Sequence, residues 1–448
     1  MFRNRLIRKL ISAALGLGLL LLVGRLVVYR GMLRPVRVSS GSMAETLIGA
    51  HYRVVCDECG LAFACDRDQP PRGMTAVCPN CGFGGIALEA EQRQQGQRVL
   101  IDQLATLTHL RRWEVVAYND PHLPRQMTVK RVVGLPGEEI AIRAGDLYVD
   151  GRIARKNLRQ QQDLAVLVHD NDFRPRQNPP LPDRWQADAS NSRWRAHDGG
   201  FTFSGEGESA GESAGEDSSQ SGEASTLDWL TYRHWRCVLT PLPRTEEAPI
   251  RDNYGYNQGV ARALHITPDL MLVCQLRLAG EGELVVRCDN GRDALQAVIQ
   301  PAAGRVALLR EGRQVAQAEW PAAQAGKSVE LVFSMFDRQV ILAVDQRVLL
   351  THPLSALPEA SDKPLTPTSR PFAFGAQDVR ASVEHLRIYR DLYYLAPRGL
   401  DVPWETERRL ADDEVFVLGD NVPISRDSRA LDRPLKSDAV IGGITRYD

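Results

Sequence analysis

Apolar residues fall in contrasting patterns along this chain. Near the N-terminus, "ISAALGLGLLLLVGRLVV" (11–28) is apolar apart from Ser12 and Arg25. Eighteen helical residues span roughly 27 Å, close to the hydrocarbon thickness of a bilayer. This predicts a transmembrane helix over 11–28, with residues 1–10 as a short basic cytoplasmic segment carrying Arg3, Arg5, Arg8 and Lys9. The run is long for a signal-peptide core, and the cationic "YRGMLRPVR" follows it rather than a small-residue cleavage site, so it reads as a retained anchor. Further on the period shortens. "HYRVV" (51–55), the stretch 97–121 and "MTVKRVVGLPGEEIAIRAGDLYVDGR" (127–152) are β-like runs, the last broken by turn residues. Between 228 and 390, "LMLVCQLRL", "GELVVRC", "RVALLREG", "SVELVFSMF" and "RQVILAVDQRVLL" read as short strands of a β-sandwich. "DDEVFVLGDNVPISRDSRALDRPL" (412–435) returns to a strand and a polar loop. The expected fold is mainly β, with one domain that starts before residue 156, resumes after 400 and carries a second domain inside it.

Composition adds little to that picture. The 448 residues include 55 Lys+Arg and 56 Asp+Glu, a formal net charge of −1, which gives no electrostatic argument for nucleic acid as a partner. The stretch 205–225 is low-complexity, with acidic and no basic residues, and lies in a segment (157–227) that reads as a polar linker.

Cysteine spacing is more specific. Cys56-x2-Cys59 and Cys78-x2-Cys81 stand eighteen residues apart, a spacing typical of a tetrathiolate zinc site. Gly60 and Gly82 follow the second cysteine of each pair and relieve crowding in the knuckle. A structural zinc is the favoured reading. Two disulfides are the alternative if the module lies in an oxidising compartment. Four thiolates leave no open position for catalysis. Cys65 has no evident partner, Cys274 and Cys288 sit on strands read as neighbours that could pair, and Cys237 is unassigned.

Behind the apolar segment, "VSSGSMAETL" (38–47) places Ser42 in a turn. A serine hydroxyl is a poor nucleophile until a neighbour takes its proton. None of the nine histidines lies in a motif that pairs it with an acid. Lys130, in the apolar strand "TVKRVVG", is the other candidate base, because burial favours the neutral amine.

The blocks "SSGSM", "KRVVGLPGE" and "GDNVPISRDSR", in this order behind one apolar segment, closely resemble the type I signal peptidases, membrane-bound serine-lysine proteases that remove signal peptides from exported preproteins. The resemblance implies a β catalytic domain in three parts (36–55, 98–156 and 400–448); the stretch 56–85, which resembles a zinc ribbon, and the β-sandwich 228–390 read as insertions, the first of which the ordinary core of that family lacks. It implies Ser42 as nucleophile, Lys130 as general base, and an oxyanion hole from the Ser42 N–H and the Ser40 hydroxyl. Ser425 would orient the lysine amine, Asp420 and Arg131 would form a supporting ion pair, Asp427 and Arg429 would buttress the loop, and Met43 would border the bound substrate. No cofactor is implied for catalysis. The resemblance also implies an inner-membrane, single-pass protein with its catalytic domain outside, acting on signal peptides of the Ala-x-Ala type.

Two positions depart from the family pattern. Glu45 stands where proline is common, which predicts a less rigid turn, and Glu138 replaces an aspartate. The sandwich insertion resembles concanavalin-like jelly rolls by pattern, which makes it a spacer or a module for protein or glycan contact. Two other functions share parts of this reading: a self-cleaving repressor-type peptidase, and a catalytically inactive membrane-tethered binding protein. The apolar segment argues against the first, and the presence of Ser42, Lys130 and Ser425 together argues against the second.

Overall fold

The computed structural model describes residues 2–29, 33–103, 110–121, 126–176, 181–205, 227–238, 244–321, 326–354, 365–429 and 434–446. The acidic stretch 205–225 therefore lies, apart from Gly205, outside the described residues. The fold is mainly β. Helix α1 (Phe2–Tyr29) contains the apolar run, and Leu15, Leu19, Leu20 and Leu21 on it are exposed. Among the described residues, which leave out the side chains at both ends of α1, no helix is long and apolar enough to cross a membrane.

Seven strands build the sheet that carries the site. They are β1 (Leu33–Arg37), β2 (Arg98–Asp102), β3 (Val115–Asn119), β4 (Met127–Gly134), β5 (Glu414–Leu418), β6 (Leu435–Lys436) and β7 (Val440–Arg446). Their order is β1-β2-β7-β3-β4-β5-β6, antiparallel throughout. Segments far apart in sequence thus meet side by side. In β4, Val132 and Val133 are both fully buried, so this end of the central strand is covered on both faces.

The chain between β4 and β5 first makes a smaller sheet, in which Ile140–Arg143 pairs with Asp146–Val149 and with Trp404–Glu405. It then forms two larger antiparallel sheets that face each other across one core, including Leu272, Leu276 and Phe333 from one sheet and Leu284, Val286 and Phe374 from the other. The alternating burial of Leu270–Ala279 is the period-2 pattern of a strand with one face in that core.

The sandwich starts earlier than its expected boundary at residue 228. Val166–Asp170, Trp194–His197 and Gly200–Phe203 belong to one sheet and Trp185–Ala187 to the other, and α2 (Leu158–Leu164) precedes them. The expected linker 157–227 is therefore partly folded. Its strands are short and set among polar residues, yet Trp185, Trp194 and Phe203 supply large aromatic surfaces to the core, which offset the polar neighbours. The expected Cys274–Cys288 neighbourhood is also corrected. The two strands lie in opposite sheets, and both thiols are free and buried. Cys274 and Cys288 act as small apolar core residues. The side chain of Cys237 lies outside the described residues.

Candidate active site

After β1 the chain turns through residues 38–50 beneath the sheet. The turn is closed by Ala44 N donating to Gly41 O and Leu47 N to Met43 O. Met43 and Leu47 are buried with Val99, against half-buried Val36, Val38, Val115 and Val129. Burial of this apolar base fixes the turn, and Ser42 is left half-buried at its rim.

Successive strand residues point to opposite faces, and β4 uses this to send two adjacent cations in different directions. Lys130 is 1% exposed, and its Nζ lies 2.6 Å from Ser42 Oγ. Burial pushes the Lys130 amine down to about 8, against the nearby carboxylates of Asp427 and Asp420, which favour its charged form. Arg131 on the other face forms a bidentate, buried pair with Asp420, at 2.8 and 2.6 Å, and donates to Trp113 O. Asp420 lies two residues beyond β5, whose Leu418 pairs with Arg131. Removing one partner of such a pair costs about 3–5 kcal/mol, since the other is left charged and buried.

Arg429 donates to both oxygens of Asp427, at 2.8 and 2.7 Å, and to the carbonyls of Leu395 and Val422. Asp427 also accepts from Gly419 N, and its carboxyl is held below the usual range by Arg429, although burial opposes this. The loop is thereby rigid around Ser425. The contact expected of Ser425 is not made, however: among the described residues its Oγ is buried without a hydrogen-bond partner, and the lysine amine bonds to Ser42 Oγ. Ser40 Oγ lies 3.4 Å from Ser42 Oγ. Glu138 caps its own turn by accepting from Leu135 N and pairs with Arg112, so that departure is structurally complete.

Sequence reasoning missed a second support, which comes from the sandwich insertion. Residues 252–258 reach back to the serine turn. Tyr256 N donates to Glu45 Oε1 at 3.1 Å, and its hydroxyl donates to Ala50 O. Glu45 is therefore anchored rather than loose, and burial raises its carboxyl above the usual range. Tyr254 OH donates to Asp420 O. Asn257 and Asn421 exchange amide hydrogen bonds, and Asn421 Nδ2 donates to Gly41 O at 2.8 Å. A Cβ on Gly41 would come within 2.2 Å of the Tyr256 ring, so only glycine fits there. The one signal in the sequence was an Asn/Tyr-rich "DNYGYNQ" between strands, with nothing to say what it touches.

The four paired cysteines converge as expected. Cys56 and Cys81 sulfurs lie 3.6 Å apart, as do those of Cys59 and Cys78, and all four can place their sulfurs within 4.8 Å of one another. Tetrahedral zinc with Zn–S of about 2.3 Å needs sulfurs roughly 3.8 Å apart, whereas a disulfide needs about 2 Å. All four are free and buried. The knuckles match: Gly60 N donates to Cys56 O and Gly82 N to Cys78 O, with both glycines at positive φ. Four buried thiols cannot all ionise side by side without a cation, and their shared hydrogen bonds already pull Cys56 down and push Cys81 up. The donor set fits a structural zinc.

A cavity of about 820 Å³ opens beside Tyr118, Phe416 and Leu435, and neither Ser42 nor Lys130 lines it.

Residues 7–185 match the family model described as signal peptidase, peptidase S26. That stretch contains Ser42, Lys130 and the cysteine module, and ends before Asp420 and Ser425. No curated protein matches the chain. Similar solved structures include a carbohydrate-binding module, CBM66, from Bacillus subtilis, at 11% identity and TM-score 0.26, covering 45% of this chain and 93% of that one. A B. subtilis protein of unknown function with a galectin-like fold is 7% identical at TM-score 0.32, covering 51% and 97%. A Trypanosoma rangeli sialidase mutant is 13% identical at TM-score 0.26, covering 46% and 27%.

Proposed function

We propose that this chain is a membrane-anchored signal peptidase of type I that cuts exported preproteins with a Ser42–Lys130 dyad. The observation that carries the reading is the 2.6 Å contact between a buried lysine amine and the Ser42 hydroxyl. The match of residues 7–185 to the peptidase family supports it.

The chemistry follows from these groups. Neutral Lys130 takes the Ser42 proton as Oγ attacks the scissile carbonyl carbon. Among the described residues the Ser42 N–H has no backbone acceptor, which leaves it for the developing oxyanion, with the Ser40 hydroxyl as second donor. Lys130 then gives its proton to the leaving amine, and the C–N bond breaks to leave an ester on Ser42. Water, deprotonated by Lys130, attacks that ester and frees Ser42. The family resemblance implies a preference for small residues of the Ala-x-Ala type, and Val36, Val38, Val129 and Met43 form an apolar cluster at the base of the serine turn. The exposed leucines of α1 are the surface that would enter the bilayer, with the catalytic sheet on the extracytoplasmic side. Zinc in the cysteine module would hold that module's two hairpins together and take no part in cleavage.

The test is cleavage of a preprotein with an Ala-x-Ala site in detergent, with the cut position read by mass spectrometry. A cut after the second alanine, absent in Ser42→Ala and in Lys130→Ala, is the expected result. Cleavage that survives Lys130→Ala would sink the dyad. No cleavage by the folded wild type would leave a tethered binding protein as the better description.

A further inference from the structure

A cavity of about 380 Å³ lies between the cysteine module and residues 251–264. Arg184, Arg236, Arg251 and Arg262 line it, and among the described residues no aspartate or glutamate does. Two of these cations are neutralised nearby, Arg262 by Asp252 at 2.7 Å and Arg236 by Glu246 at 3.1 Å. Among the described residues, Arg184 and Arg251 are paired with no carboxylate.

Arg184 is 6% exposed. Its Nε donates to Asn80 O and its Nη1 to Trp235 O, it lies 3.3 Å from His234 Nδ1, and its guanidinium sits 4.2 Å over the Trp235 ring. None of these partners carries negative charge, and burial with Arg184 beside it keeps His234 neutral. Arg251 Nη1 donates to Leu264 O, while its Nε is buried with no acceptor. A guanidinium cannot shed its proton to escape this, and an uncompensated buried charge is strongly destabilising. Arg184, buried, and Arg251, half-buried, therefore stand on one cavity without a carboxylate partner among the described residues, and the wall group that can carry negative charge there is Cys78 of the thiol cluster.

We propose that this cavity is a binding site for a small ligand bearing an oxyanion, no larger than a sugar acid. Arg184 and Arg251 would hold the anionic group, with Trp235 and Tyr254 as apolar walls. The planar fork of arginine matches both carboxylate and phosphate, and cavities of this size take ligands of that class.

Calorimetric titration of the full chain with glucuronate and with inorganic phosphate tests this, with glucose as the uncharged control. Binding of at least one anion below about 10 mM is expected, with no heat from glucose. Arg251→Gln, half-buried and easily tolerated, should weaken that binding by about tenfold or more at an unchanged melting temperature; Arg184→Gln should weaken it likewise but also lower the melting temperature, because it strands the Asn80 and Trp235 carbonyls. Glucuronate without phosphate would identify the carboxylate as the ligand group, and the reverse the phosphate. Failure of both anions to bind the folded protein would overturn the proposal. So would binding that is indifferent to Arg251→Gln.

Discussion

At the scale of single residues, the dyad's behaviour turns on the desolvation of Lys130. Burial brings the amine down to about 8, so at neutral pH only about a tenth is in the form that can take a proton. Cleavage rate should therefore climb through an apparent pKa near this value and level off above it, measured as kcat/KM against pH. A profile flat from about pH 6 to pH 9 would contradict the assignment. Glu45 gives a second residue-scale prediction. Its carboxylate accepts from Tyr256 N, so Glu45→Ala strands a buried N–H and should cost about 1–3 kcal/mol of stability together with a fall in kcat. Glu45→Gln keeps an acceptor and should restore most of both. Equal loss in the two variants would show that charge, not the hydrogen bond, matters there. From sequence alone Glu45 reads only as a missing proline. Its partner lies 211 residues away, and no local pattern encodes a contact of that range.

At the scale of elements, what was legible followed from period and spacing. The alternation in Leu270–Ala279 announces a strand, and two Cys-x2-Cys-Gly knuckles announce a convergent thiol site, because both signals are local. The strands Trp185–Ala187 and Gly200–Phe203 were missed because three or four residues are too few to display a period among polar neighbours. Ser425 shows the opposite failure. The motif names the residue, but the rotamer that would bring its hydroxyl to Lys130 is a three-dimensional matter. The cysteine module also yields a prediction. Its four thiols surround one point, and it packs on Tyr52 and Val54 of the strand that follows the serine turn. Purified protein should carry about one zinc per chain, and chelation or Cys59→Ser should lower the melting temperature while free Ser42 chemistry persists in whatever stays folded. Absence of metal by elemental analysis, with two disulfides by mass spectrometry, would replace zinc by the oxidised alternative.

At the scale of the whole molecule, the inserted sandwich is tied to the catalytic sheet at a buried charged junction. Lys156 Nζ bridges Asp337 at 2.5 Å and Asp391 at 2.8 Å, and lies 4.8 Å over the Trp113 ring. Asp146 and Asp269 converge with Asp337 within 4.8 Å. The junction thus gathers four carboxylates, with Lys156 and, near Asp146, Arg292 as the opposing charges. Burial pushes Asp146 up to about 7 and Asp391 up to about 6, each further raised by Asp337 and lowered by Lys156. An acid whose folded pKa exceeds its unfolded one binds its proton more tightly in the native state. The resulting stability is complete below the unfolded value near 4 and is lost as pH rises through the folded value. Glu45, also raised by burial, adds in the same direction. Lys130, lowered, acts with the opposite sign and only above about 8. The junction acids should therefore lower the melting temperature between about pH 5 and pH 8, as the junction acquires more negative charge than Lys156 and Arg292 balance. Buried His169 and His234, whose pKa values are lowered by desolvation, act with the opposite sign as pH rises through about 6.5. Asp146→Asn removes one of those titrations while keeping the shape, so its melting temperature should fall less steeply over the same range. An identical slope in wild type and variant would mean that Asp146 is ionised in the folded protein throughout, and that the sandwich is held to the catalytic sheet by its apolar contacts and Lys156 without help from a proton.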